Sequence, residues 1–348
     1  MSLLSMRFKY LPIYLCLIGL VYSVDSFASK IDTIYFQNGD RITAEVKSLE
    51  NNQLKLSTED AKTINVEWNK VDSVKILNNM RIVLDDGRIL YGKILNAGEA
   101  GKCNIWSSEG DPLLLELVHI VSLSPLKKQF FQRLTGSLST GFSYVKASQV
   151  MQMNFDGSIE YQAEKNTVQL SYSGIFSQDP ESGYSQNQDG GATLFRLLAN
   201  NWFLVSSLSL ESNTELELDL RTTLALGGGN SVISTNFTRL NTAVGLQATR
   251  ENSGGDNQNN LESFVVANYK VFIYDDPEVS FDLSAQLIPS LSTLGRVRTS
   301  ISTNLKWEVF SDFYLKWTLY FNSDSQPLSE TAEKYDWAVT LLGLEYKL

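Results

Sequence analysis

The sequence holds a single histidine, two cysteines and seven prolines in 348 residues, and acids outnumber bases to leave a formal charge of -10. Each shortage excludes a class of function. Histidine is the commonest general base, and the only one here, His119, is flanked by Val118 and Ile120 and reads as structural. Without a second histidine or paired cysteines, no common zinc constellation can be assembled. No cofactor and no enzymatic activity are therefore expected. Lys and Arg form no basic tract, so a nucleic-acid partner is excluded on charge. No run of eighteen apolar residues follows the first segment, which rules out a helical membrane protein.

That first segment reads as an export signal. Arg7 and Lys9 precede an apolar stretch from Leu11 to Val24, and Ser26-Phe27-Ala28 supplies small residues at the usual cleavage spacing. We expect a signal peptide over 1–28. A permanent membrane helix is disfavoured by the shortness of the stretch and by Pro12, and a lipoprotein by the bulky Leu15 before Cys16. Removal of the signal takes Cys16 with it. Cys103 is then the sole cysteine, no internal disulfide can form, and a buried small hydrophobe is expected there.

From Ile31 to Pro125 the chain repeats itself at a spacing of roughly 48 residues, the range of duplicated supersecondary units. Asn38-Gly39 and Asp86-Gly87 each supply the positive φ of a tight hairpin turn. Val66, Trp68, Val71 and Val74 close the first copy as Leu115, Leu117, Ile120 and Leu123 close the second. The pattern resembles tandem SH3-like barrels, with modules at 31–77 and 79–125. Such modules bind a partner or simply space domains.

After a short amphipathic link, Leu126 to Arg133, alternation with a period of two dominates the remaining chain. Met151, Met153, Phe155, Ile159 and Tyr161 share one face of a strand, and Gln152, Asn154, Asp156, Ser158 and Glu160 share the other. Segments of this kind number about twelve, starting near residues 134, 150, 166, 192, 202, 215, 240, 261, 278, 296, 312 and 335. Many reach the length of about nine to eleven residues that crosses a bilayer at a tilt. Polar connections at 178–191, 251–260, 289–295 and 324–334 would lie outside. Short ones at 162–165, 200–201, 275–277 and 310–312 would face the periplasm, the long joint 228–239 being an exception. The expected fold is all-β: an antiparallel transmembrane β-barrel of about twelve strands over 132–348 behind two SH3-like modules. A soluble β-sandwich is the competing fold; its strands are usually shorter and its turn signals denser.

Leu134-Thr135-Gly136-Ser137-Leu138, the strand from Asn154 to Tyr161 and the closing alternation Leu342, Leu344, Tyr346, Leu348 resemble a salt-induced outer-membrane protein family. It is a barrel family of unknown biochemical role, sometimes found with SH3-like repeats. One departure is Leu348, where such barrels usually end in an aromatic residue. The resemblance implies the bacterial outer membrane, with the N-terminal modules in the periplasm.

The inward candidates are Gln152, Asn154, Asp156, Glu160, Glu217, Asp219, Arg221, Asp282, Arg298, Lys306 and Glu308. Glu215, Glu217 and Asp219 beside Arg221 read as a mixed-charge inner wall rather than paired catalytic carboxylates. Two functions are consistent with these features. One is a narrow channel or solute-binding barrel; the other is a non-conducting anchor whose N-terminal modules bind a periplasmic protein or the cell wall. The expected partners are outer-membrane lipid and the barrel assembly machinery.

Overall fold

A computed structural model describes residues 31–107, 111–126, 130–180, 183–214, 218–253, 256–275, 277–310, 313–327 and 334–346. The expected signal peptide, Glu215 and Glu217 lie outside the described residues. Among those described there is no α-helix, and no helix is long and apolar enough to cross a membrane. The strands form two sheets, one of nine strands and one of twelve.

The smaller sheet is built from the repeat. Its first copy supplies β1 (Asp32–Phe36), β2 (Arg41–Glu50), β3 (Gln53–Ser57) and β4 (Thr63–Glu67). β5 (Val71–Leu84) then ends the first copy and begins the second, which continues as β6 (Ile89–Asn96), β7 (Lys102–Trp106), β8 (Leu113–Glu116) and β9 (Ile120–Pro125). The expected boundary near residue 78 therefore falls inside a strand. The two copies also exchange partners. The first half of β5 pairs with β1 and, at Ile76, with Ile94 of β6. The corresponding strand of the second copy, β9, pairs with the second half of β5 and, at Leu123, with Leu49 of β2.

One hydrophobic core results, and equivalent positions of the two copies fill it together: Ile34 and Ile82, Val46 and Ile94, Leu56 and Ile105, Val74 and Leu123. The short 3-10 turns that follow β4 and β8 meet through the Trp68 indole, which donates to the Leu117 carbonyl at 2.9 Å. Within the first copy Asp32 ties β1 to β2 and β5, accepting from the backbone N–H of Val46 (3.0 Å) and of Leu77 (2.9 Å). Burial raises its pKa above the usual carboxylate value despite those two bonds.

Cys103 occupies the place that Leu54 holds in the first copy, and both are fully buried. Desolvation pushes its thiol up to about 12. A thiol reagent at pH 8 should therefore leave the folded protein unlabelled and modify Cys103 at the rate of a free thiol in denaturant. Labelling of the native protein within minutes would contradict this burial.

The larger sheet is a meander in which each strand pairs antiparallel with the next. Its strands are β10 (Leu134–Val145), β11 (Val150–Gln162), β12 (Asn166–Asp179), β13 (Gly183–Leu197), β14 (Trp202–Asn213), β15 (Leu218–Ser234), β16 (Thr238–Ser253), β17 (Asp256–Ile273), β18 (Val279–Pro289), β19 (Val297–Phe310), β20 (Phe313–Asp324) and β21 (Tyr335–Tyr346). Their lengths run from 11 to 18 residues.

Three connections differ from expectation. Most of 178–191 and 251–260 is strand, and the joint at 228–239 shrinks to a turn at 235–237. Polar and glycine-rich strand segments such as Gly183–Gly191 lack apolar-polar contrast, so period-two reading takes them for loops. The turns linking β11–β12, β13–β14, β15–β16, β17–β18 and β19–β20 all lie at one end of the sheet, together with the start of β10.

One face of this sheet is apolar and open. Leu208 lies opposite Leu224, Leu226 opposite Leu246, and Val244 opposite Val265, and all six are exposed, Leu226 by 65 %. The other face is polar and concave. Glu251 on β16 and Asp324 on β20 stand four strand spacings apart, about 19 Å in a flat sheet. Both nevertheless lie within 3.3 Å of one guanidinium nitrogen of Arg296, so the sheet must curl around its polar side.

Candidate functional site

The polar concave face gathers most of the ionisable residues of the larger sheet, whereas Arg196 and Arg250, near strand ends, fall on the apolar side by register. One row crosses six strands in direct register: Asp156, Ser173, Asp189, Glu211, Arg221 and Glu251. Antiparallel pairing aligns these positions and strand periodicity points them to the same side. Arg221 binds Glu211 at 2.7 Å and Glu251 at 3.0 Å. Ser173 donates to Asp156 at 2.8 Å.

Arg296 lies in the connection from β18 to β19 and is 1 % exposed at its side chain. It reaches Glu251 at 3.3 Å and Asp324 at 2.6 Å, pinning that connection over the concave face. Beside it, Arg298 binds Glu262 at 2.5 Å, and the same carboxylate oxygen accepts from Gln247 (2.8 Å) and Thr249 (3.0 Å). These charges are buried and closely paired, as buried charges must be to persist.

Nearer the short turns, Lys270 pairs with Asp282 at 3.0 Å. Lys306 binds Glu278 at 2.9 Å and sits 3.9 Å over the ring of Tyr314, whose hydroxyl donates to Glu278. A cavity of about 390 Å³ opens among Asn268, Lys270, Asp282, Ser284, Ser302 and Asn304. Its lining of amides, hydroxyls and one ion pair suits a small polar solute or water.

Between these levels Phe264, buried, lies over Gly227 and Gly245, which face each other across β15 and β16. A Cβ on Gly245 would come within 2.5 Å of the Phe264 ring and 2.6 Å of the Gly227 backbone. Gly245→Ala should cost about 1–3 kcal/mol by overpacking, read as a lower urea midpoint. An unchanged midpoint would mean that the ring does not rest on the glycines.

The sequence-derived candidates fall on this polar face. Gln152, Asn154, Asp156 and Glu160 line it along β11, Asp219 and Arg221 share it on β15, and Asp282, Arg298, Lys306 and Glu308 continue it on β18 and β19. Glu308 accepts from the Glu278 backbone at 3.0 Å. Glu217 lies outside the described residues. Sequence reasoning missed Glu251, Arg296 and Asp324, because each sits at or inside a segment that reads as a loop.

His119 lies away from this face, in the smaller sheet's domain. Its Nδ1 is 2.8 Å from Asp85, and that bond raises the imidazole pKa above its ordinary value.

Residues 139–348 match the model of a family described as a protein of unknown function, DUF481. The chain belongs to that family. The matched segment runs from within β10 to the last residue, so the family is defined by the twelve-stranded sheet, and the repeat domain lies outside the match. A search of curated proteins finds no match.

Proposed function

We propose that the twelve-stranded sheet of this DUF481 protein closes on itself, β10 meeting β21, as a β-barrel spanning the bacterial outer membrane, with the polar face lining a narrow channel or solute-binding lumen. The open apolar face carries this reading. It passes through successive strands with large exposed apolar side chains on each, whereas soluble monomers rarely expose contiguous apolar patches beyond a few hundred Å². Along β14 it runs from Trp202 to Leu210, about 26 Å of strand, which is the scale of an outer-membrane apolar band. The curl toward the polar side supports closure, and closure would remove the two unpaired edges that β10 and β21 otherwise present.

The export signal directs the chain across the inner membrane, and the barrel assembly machinery would insert it. The repeat domain then stands in the periplasm, each copy contributing SH3-like elements: a strand meander, a 3-10 turn and a closing strand. Catalysis has no part in this reading, because the central carboxylates Glu211, Glu251 and Glu262 are engaged by arginines.

The test is electrophoresis of outer-membrane fractions in mild detergent. A folded barrel migrates faster unheated than boiled. Recovery in the soluble periplasm without a band shift would refute the barrel.

A second reading, a non-conducting anchor whose repeat domain binds a periplasmic partner or the cell wall, is favoured by one observation. Trp106 and Leu114 are about half exposed in the second copy, where the first copy carries Ser57 and Asn65. The fold therefore does not require apolar residues at these places.

A further inference from the structure

The repeat domain grips the larger sheet at four successive turns. Arg81 donates to the carbonyls of Ala163 (3.5 Å) and Glu164 (3.2 Å) at the β11–β12 turn. At the β13–β14 turn Asn201 donates to the Asp85 carbonyl at 3.3 Å, and Gly87 approaches so closely that a Cβ there would strike the Asn201 backbone. Asn236, in the β15–β16 turn, donates to the Val118 carbonyl at 2.8 Å. Asp275, after β17, accepts from Asn69 at 2.9 Å and forms an ion pair with Lys70. Arg239 adds a contact to Glu50 at 3.4 Å.

We propose that the repeat domain is a cap that closes the lumen at the mouth it sits on. The proposal rests on the barrel reading above. In a closed ring of twelve strands, the β11–β12 and β17–β18 turns stand six strand positions apart, on opposite sides of the rim. The domain that touches both has a single packed core, so it must span the opening between them. A twelve-strand ring at the usual tilt is roughly 24 Å across. β5 alone has 14 residues, up to roughly 46 Å of extended chain, so the domain is large enough to cover it.

The grip is of a kind that can let go. The Lys70–Asp275 pair is about half exposed, and exposed pairs of this sort hold weakly. The other contacts are a few side-chain hydrogen bonds to backbone carbonyls, one bond from Asn69 to the Asp275 carboxylate and the Arg239–Glu50 pair at 3.4 Å. The cap would therefore open without unfolding either sheet, exposing a lumen already lined for polar solutes.

Planar-bilayer recording of the full chain tests this, with each preparation first verified by its heat-dependent band shift. The wild type should be nearly silent. The variant Arg81→Ala, Asn236→Ala, Asp275→Ala should conduct at least tenfold more. Equal conductance in the two, or silence in both with the band shift intact, would overturn the cap and leave the barrel standing. Loss of the shift in the wild type would instead overturn the barrel.

A full chain with a site-specific protease site inserted between Leu126 and Phe130 gives a second route, because cleavage follows verification of the fold. Release of the domain accompanied by a rise in conductance supports the cap. Release without a rise refutes it.

Discussion

Leu226→Arg should largely abolish recovery of the heat-shifted band, although Leu226 is among the most exposed large apolar residues of the chain. In water such a position tolerates arginine within about 0.5 kcal/mol. At the middle of a lipid-facing band, arginine costs about 2–4 kcal/mol. Leu226 pairs with Leu246 and Ser206 near the middle of its strand, where that cost is greatest. Folding into liposomes against urea gives the magnitude. Ser207→Arg serves as the control, since Ser207 lies on the polar face opposite Ala225 and should be far better tolerated. Equal tolerance at both positions would remove the distinction between the faces and with it the membrane assignment.

Arg296→Met should cost about 3 kcal/mol, the lower part of the range for breaking a buried ion pair by removing one partner. Glu251 is 1 % exposed at its side chain and would keep only Arg221. Asp324 would lose its tie to the β18–β19 connection. The loss arises from stranded charge rather than from the worth of the network itself, because replacing a whole buried cluster by apolar groups can be neutral. Adding Glu251→Gln to Arg296→Met should therefore recover part of the stability, read as a urea midpoint lying between those of the single variant and the wild type. A double variant less stable than Arg296→Met would show that Glu251 serves Arg221 more than Arg296.

The two families of contact have different consequences. The Arg296 cluster fixes the end of the concave face away from the turns and should be insensitive to salt, because buried pairs are poorly screened. The half-exposed Lys70–Asp275 pair at the opposite end is open to screening. If the sheet closes as proposed, a barrel rigid at one end and releasable at the other would open where the repeat domain sits.

The sequence by itself determined a run of about twelve strands, the face taken by side chains wherever apolar and polar residues alternate, and the duplication in the repeat domain. Strand side chains alternate strictly, so wherever one face is apolar and the other polar the pattern survives without knowledge of partners. Met151 and Gln152 part company for that reason alone. Equivalent positions such as Ile34 and Ile82 likewise keep their chemistry because each meets the same kind of core.

Only the tertiary structure decided how the repeats merge, which charges meet, and where the domain docks. β5 serves both copies because its two halves pair with different neighbours, a choice that depends on complementary edges rather than on local pattern. Arg296 meets Glu251 and Asp324 through the curvature of a sheet, and Lys70 meets Asp275 across 205 residues of chain. Alternation tells which way a side chain points; what it meets there is set by sheet curvature and docking, which bring together residues that local sequence keeps apart.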